Sequence, residues 1–193
     1  RFEFEHMLAA ARSAGHRVRV VETHRTAERQ AYLVVSGGGL TFTALAVNGA
    51  HACGLIASGA AYCWGFNEYG ALGDGTTIQQ DSPVAVTGGL FFTTLAAGYL
   101  YTCGLTSNGG AHCWGDNQYG QLGDGTTTRR LVPTPVSSSL SFSSITAGDH
   151  TCGLTSGGEA YCWGHNDHGQ LGDGTTENRT VPAAVTSDVT FRT

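Results

Sequence analysis

The chain is 193 residues long, 29 of them Gly, with 40% apolar residues, 13% charged residues and a formal net charge of −5. That leaves room for one domain with a packed core and excludes wholesale disorder. No apolar run approaches the ~20 residues that a membrane-crossing helix needs, so insertion of that kind is excluded too.

Charge divides unevenly along the chain. Residues 1–38 carry six Arg (1, 12, 17, 19, 25, 29) against four Glu (3, 5, 22, 28), whereas residues 39–193 carry four Arg against eleven acids. Lys is absent. An acidic body without basic runs argues against nucleic acid as a partner, since phosphate neutralisation needs clustered cations, and against an anionic membrane surface. The chain opens on Arg1 and shows no signal peptide, so it reads as processed or as a piece of something longer.

In chain order, residues 1–25 read as a strand, a short Ala-rich helix over residues 6–13 stopped by Gly15, and an alternating strand over residues 17–21. Residues 26–40 align with residues 76–90, both ending Gly-Gly-Leu, and read as the tail of a preceding repeat. Three near-complete repeats follow over 41–90, 91–140 and 141–189, and residues 190–193 begin another. Phe42-Thr43-Ala44-Leu45 returns as Phe92-Thr93-Thr94-Leu95 and Phe142-Ser143-Ser144-Ile145. Cys53-Gly54-Leu55 and Cys63-Trp64-Gly65 each occur three times at the same spacing. Short apolar runs bounded by Ser, Asn and Gly are strand and turn signals, and no segment of 40–193 sustains a helical period. The first repeat is expected to form strands near 42–47, 51–56, 60–64 and 84–86, with Asp-Gly in the long loop before the last. Four short strands in about 50 residues match a β-propeller blade, so the fold class is all-β with blades of four antiparallel strands.

The block Cys-Trp-Gly-x-Asn-x-x-Gly-x-Leu-Gly-Asp-Gly at 63–75, 113–125 and 162–174 resembles the RCC1-repeat (regulator of chromosome condensation) family, especially its secreted bacterial branch. The resemblance covers about 150 residues and implies a propeller of about seven blades. Three blades cannot close a ring. The chain is therefore expected to be a fragment, or copies are expected to complete one another by exchanging strands or stacking blades. The exchange-factor activity of the family's founding member on a small GTPase transfers poorly, because it belongs to a reducing interior.

The cysteines form three pairs, 53 with 63, 103 with 113 and 152 with 162. With three-residue hairpin loops ending in Gly59, Gly109 and Gly158, residues facing each other across each hairpin include the two cysteines. That predicts disulfides, with Cα atoms about 4.5–5.5 Å apart. Two facing Cys supply only half a zinc shell, so metal is the weaker reading. Disulfides imply an oxidising compartment, hence a secreted or surface-displayed protein.

Trp64, Trp114 and Trp163 alternate with the second Cys, so each is expected to face away from its disulfide into the contact between blades. Leu72, Leu122 and Leu171 read as core. Asp74, Asp124 and Asp173 read as turn residues, because their spacing lacks the acids of a calcium loop. Positions that differ among the repeats are freer of the fold and are the candidate recognition residues. They are Phe66, Glu68 and Tyr69; Tyr99 and Tyr101; Asp116, Gln118 and Tyr119; Asp149 and His150; and His165, Asp167 and His168. The last five suggest a general acid–base pair, but no nucleophile elbow, phosphate loop or His-Glu-x-x-His accompanies them, so no enzyme and no cofactor is expected. Asn178-Arg179-Thr180 matches a glycosylation sequon. The expected function is a non-enzymatic extracellular module whose partner is another protein or copies of itself. The alternatives are a structural subunit of a ring or filament, or a glycan-binding or hydrolytic propeller.

Overall fold

The computed structural model describes residues 39–186 together with the backbone of two short strands, β1 (Arg17–Val21) and β2 (Tyr32–Ser36), which pair antiparallel. The first strand occupies the alternating Arg-Val stretch. The helix expected over 6–13 and the strand expected over 190–193 lie outside the described residues.

The repeats fold into three four-stranded antiparallel sheets. The first runs β3 (Phe42–Asn48), β4 (His51–Ile56), β5 (Ala61–Gly65) and β6 (Gln80–Ala85). The second runs β7 (Phe92–Ala97), β8 (Tyr101–Thr106), β9 (Ala111–Gly115) and β10 (Arg130–Pro135). The third runs β11 (Phe142–Ala147), β12 (His150–Thr155), β13 (Ala160–Gly164) and β14 (Arg179–Ala184). Strands follow in chain order within each sheet, and the first strands β3, β7 and β11 adjoin one another, as in neighbouring blades of a propeller. The fourth strand starts earlier than the sequence suggests. A register shift lets Gly65 pair with Gln80 while Cys63 pairs with Val84, so β6 spans a bulge containing Pro83. An outer edge strand tolerates a proline there because no ladder bond is lost.

Each central hairpin turns on a glycine at positive φ: Gly59 (85°), Gly109 (78°) and Gly158 (85°). That turn sets Cys53 opposite Cys63, Cys103 opposite Cys113 and Cys152 opposite Cys162. All three pairs are disulfide-bonded, with Cα separations of 4.0, 4.1 and 4.1 Å. These are slightly shorter than the expected spacing.

Every blade has two unlike faces, and the core forms where they meet. Cys53, Leu55, Ala61, Cys63 and Leu72 of the first blade pack under Phe92 and Trp114 of the second. Cys103, Leu105, Cys113 and Leu122 pack under Phe142, Ile145 and Trp163 of the third. Leu72, Leu122, Leu171, Trp114 and Trp163 are completely buried. The Trp114 indole N–H donates to Ala71 O at 2.8 Å, across the seam. Its ring lies so close over Gly73 (φ 67°) that a Cβ there would stand 2.7 Å from Nε1, and Gly123 sits likewise under Trp163 at 2.6 Å. Backbone bonds stitch the same seams. Phe92 and Phe142 N–H donate to Gly59 O and Gly109 O at 2.8 and 2.9 Å. The Gly75 and Gly125 N–H donate to Leu131 O and Thr180 O at 3.0 and 2.9 Å.

A candidate recognition face

Because the sheets are antiparallel meanders, the turn after the first strand and the long loop after the third emerge at the same end of each blade. The two are tied together: the Phe66 N–H donates to Ala50 O at 2.9 Å, and Asp116 N–H to Leu100 O at 3.0 Å. The candidate residues thus belong to one end of the blades.

The frame beneath that end is made by three asparagines, Asn67, Asn117 and Asn166, all fully buried. Asn117 Oδ1 accepts the Leu122 N–H at 3.0 Å. Its Nδ2 donates to Thr126 O and Thr128 O at 3.0 Å and reaches Asp124 Oδ1 at 3.2 Å. Asn67 and Asn166 repeat the pattern. Asp124 and Asp173 close the following turn by accepting the Thr126 and Thr175 N–H at 2.9 and 3.0 Å, a local bond that favours turns. In these two blades an arginine adds an ion pair, Arg130 to Asp124 at 2.7 Å and Arg179 to Asp173 at 2.6 Å. Gln80 stands at the equivalent position of the first blade. The Thr175 hydroxyl and then Arg179 hold the Asp173 carboxyl down at about 2. For Asp124, burial would raise the carboxyl, but hydrogen bonds from Thr126 and Arg130 outweigh it and the net shift is downward.

On this frame aromatic side chains recur across the first two blades. Tyr99 is 60% exposed and lies against Gly49 of the preceding blade. Gly49 leads to Ala50, which holds Phe66, and Phe66 is 6.3 Å from Tyr69 between ring centroids. Arg129, from the second blade, places its guanidinium 6.0 Å over the Tyr69 ring and donates to Glu68 O at 3.2 Å. Ile78, 65% exposed, belongs to the same loop. Across the second and third blades, Tyr119 stacks on His165 with centroids 4.4 Å apart. His165 Nε2 is 3.0 Å from Asp167 Oδ2. Its Nδ1 accepts from Gln170 Nε2 at 3.3 Å. Both ring nitrogens thus have a polar neighbour within the same loop. Burial lowers the His150 pKa, with Asp149 opposing and His165 adding to the shift.

Glu68, Gln118, Asp149, Asp167 and His168 are exposed, and Phe66, Tyr119, His150 and His165 are half-buried. Tyr101 and Asp116 are interior residues instead. Tyr101 is 1% exposed, with its hydroxyl 2.7 Å from Thr151 Oγ1, and Asp116 accepts from Gln121 Nε2 at 2.8 Å. Variation between repeats marks their positions as free, yet each is covered by the neighbouring loop or blade. Sequence reasoning passed over two further sets. Arg129 varies among repeats, as Gln79 and Asn178 at the equivalent positions show, and the same comparison would have found it. The three buried asparagines were legible as the one unvarying residue inside a varying loop.

Among the described residues, no group of three or more His, Cys, Asp or Glu is arranged to hold a metal ion, and no helix is long and apolar enough to cross a membrane. Three cross-strand disulfides point to an oxidising environment.

Stacked four-strand blades, staked by a tryptophan and framed by a buried asparagine, define a β-propeller module of the repeat type. The regulator of chromosome condensation (RCC1) repeat model matches residues 58–105, 108–154 and 157–192, and a second RCC1-repeat model matches 92–121 and 143–170. The chain belongs to the RCC1-repeat family. No characterised protein sequence matches it as a relative. Among solved structures it is similar to human WBSCR16, at 25% identity and a TM-score of 0.71, over 80% of this chain and 43% of that one. Yeast RCC1 (Prp20), solved bound to Kap60, matches at 18% identity and a TM-score of 0.70, over 82% of this chain and 45% of that one. Prp20p from Saccharomyces cerevisiae, described with its binding properties to Gsp1p and histones, matches at 18% identity and a TM-score of 0.67, over 83% and 47%. The chain thus spans less than half the length of these structures.

Proposed function

We propose that the chain is a secreted, non-enzymatic propeller module that binds another protein through the loop face just described. The observation that carries this reading is the set of aromatic side chains Tyr99, Phe66 and Tyr69, the last beneath Arg129, at one end of the blades above a buried frame. Large rings beside a cation, on loops braced by a rigid scaffold, are the composition of protein-binding hot spots. The yeast relatives, whose descriptions name protein partners, support the same class of function. The test is photo-crosslinking in culture medium, with the reactive group at position 69 or, as a control, at Ser107 on the opposite hairpin end. A partner captured only from position 69, and lost in Tyr99→Ala, supports the reading. Equal capture from both positions, or none, defeats it.

A second reading, in which copies of the chain stack on one another, is favoured by the third blade. There Cys152, Leu154 and Ala160 are half-buried, whereas their counterparts in the first two blades are covered by the next blade's Phe and Trp. Light scattering across a concentration series tests it, and a monomer throughout ends it.

A further inference from the structure

The two seams are built to one plan, and two of the positions at which they differ carry histidine in the first and tyrosine in the second. In the seam between the first and second blades, His51 Nε2 stands 2.8 Å from Thr102 Oγ1, and that hydroxyl donates its single proton to Ala71 O at 2.9 Å. His51 must therefore be the donor, through Nε2–H, which leaves Nδ1 bare. Nδ1 is buried and has no hydrogen-bond partner. On the facing blade His112 lies edge-on to Phe92, centroids 6.3 Å apart, and its Nδ1 is likewise buried and unpartnered. In the seam between the second and third blades both positions hold tyrosine. Tyr101 replaces His51 and meets Thr151 Oγ1 at 2.7 Å, and Thr151 donates to Gln121 O at 2.8 Å. Tyr161 replaces His112, edge-on to Phe142.

We infer that the seam between the first and second blades is an acid-sensitive joint, held shut only while His51 and His112 are neutral, and that the seam between the second and third blades is not. Protonating His51 would put an N–H and a positive charge at a buried nitrogen with no acceptor, and at half-buried His112 the same penalty is offset in part by the Gly110 carbonyl. No carboxylate or guanidinium among the described residues acts on either ring: His51 meets Thr102 Oγ1, which itself faces Ala71 O and Cys53 Sγ, and Phe92 and the Gly110 carbonyl flank His112. In keeping with this, burial alone lowers the His51 pKa to about 4, and burial lowers that of His112 against an opposing contact from the Gly110 carbonyl. The open joint takes up the proton at the ordinary histidine pKa, so between pH 7.5 and 5 His51 alone shifts the balance toward opening roughly 30-fold. Seam opening would also part Arg129 from Tyr69, which come from opposite sides of it. Acid release of a bound protein would follow, a consequence that rests on the proposed function, whereas the joint itself does not.

Amide hydrogen exchange on the intact, oxidised chain tests the joint without any ligand. Gly75 and Phe92 N–H bridge the first seam, and Gly125 and Phe142 N–H bridge the second. After correction for intrinsic rates, Gly75 and Phe92 should lose roughly 30-fold in protection between pH 7.5 and 5. Gly125 and Phe142 should not follow, and His51→Tyr with His112→Tyr should abolish the difference. Equal losses at both seams, no loss at the first, or a loss that persists in the double variant would overturn the inference. A variant that fails to fold leaves the wild-type comparison decisive. A wild-type titration of the imidazole Cε1–H signals supplies a second measure, and an ordinary midpoint near 6.5 for His51 overturns the inference as well.

Discussion

The buried asparagine is the residue on which each long loop depends, and Asn117 shows how much. Replacing it with alanine strands the Leu122 N–H, a buried donor whose acceptor is Asn117 Oδ1. A stranded buried backbone group costs about 1–3 kcal/mol. The Thr126 and Thr128 carbonyls also lose Nδ2, but they lie on a loop that water reaches, so together they add at most about 1 kcal/mol. Asn117→Ala should therefore lose about 1–4 kcal/mol in urea denaturation followed by Trp fluorescence, a large fraction of an ordinary domain's stability. Asn117→Asp isolates the reasoning, because it keeps the shape and the acceptor for Leu122 N–H. It replaces the donor with an oxygen facing three others, Asp124 Oδ1 and the two carbonyls. At pH 7 it should cost at least as much as alanine, and part of the loss should return as the new carboxyl is protonated. An Asn117→Asp protein within about 0.5 kcal/mol of wild type would refute the assignment, since the bonds would then carry no stability.

Three further outcomes can be checked. Gly123→Ala forces a side chain to φ 71° and into the Trp163 ring, so thermal unfolding should show a loss of about 2–3 kcal/mol, whereas Gly125→Ala, beside open space, should lose less. Removing one short-loop disulfide, as Cys103→Ser with Cys113→Ser, should lower stability by about 2–3 kcal/mol in denaturant titration, and no loss would show that packing alone holds the hairpin. Asp173 is ionised more readily when folded than when unfolded, so its contribution is complete above the ordinary carboxyl pKa near 4 and disappears as pH falls through about 2. Carbon-detected titration of Arg179→Ala should find that carboxyl moved upward toward its ordinary value, and an unmoved midpoint would assign the shift to Thr175 alone.

Repetition made most of the architecture readable in advance. Where three copies agree at a spacing, the residue serves what the copies share: the hairpin glycine that sets the cysteine register, the tryptophan that covers the preceding blade, the leucine beneath it. Strand alternation then told which face each must occupy, and the disulfide and indole faces of Cys113 and Trp114 follow from their being neighbours in one strand. The bulge at Pro83 was not readable, because a register shift depends on the loop that precedes the strand rather than on residue types within it.

The recognition face divides along the same line. Difference between copies singled out Tyr69, Tyr99 and Asp167, which are exposed, together with Tyr101 and Asp116, which are not. Tyr101 is covered by the next blade, through Thr151 50 positions away, and Asp116 by Gln121 from the far side of its own loop. The local sequence thus determines the blade, since turns, alternation and disulfide register act within a few dozen residues. Only the stacking of blades decides which histidines lose their solvent and which tyrosines keep it, because burial belongs to the seam and not to either strand that forms it.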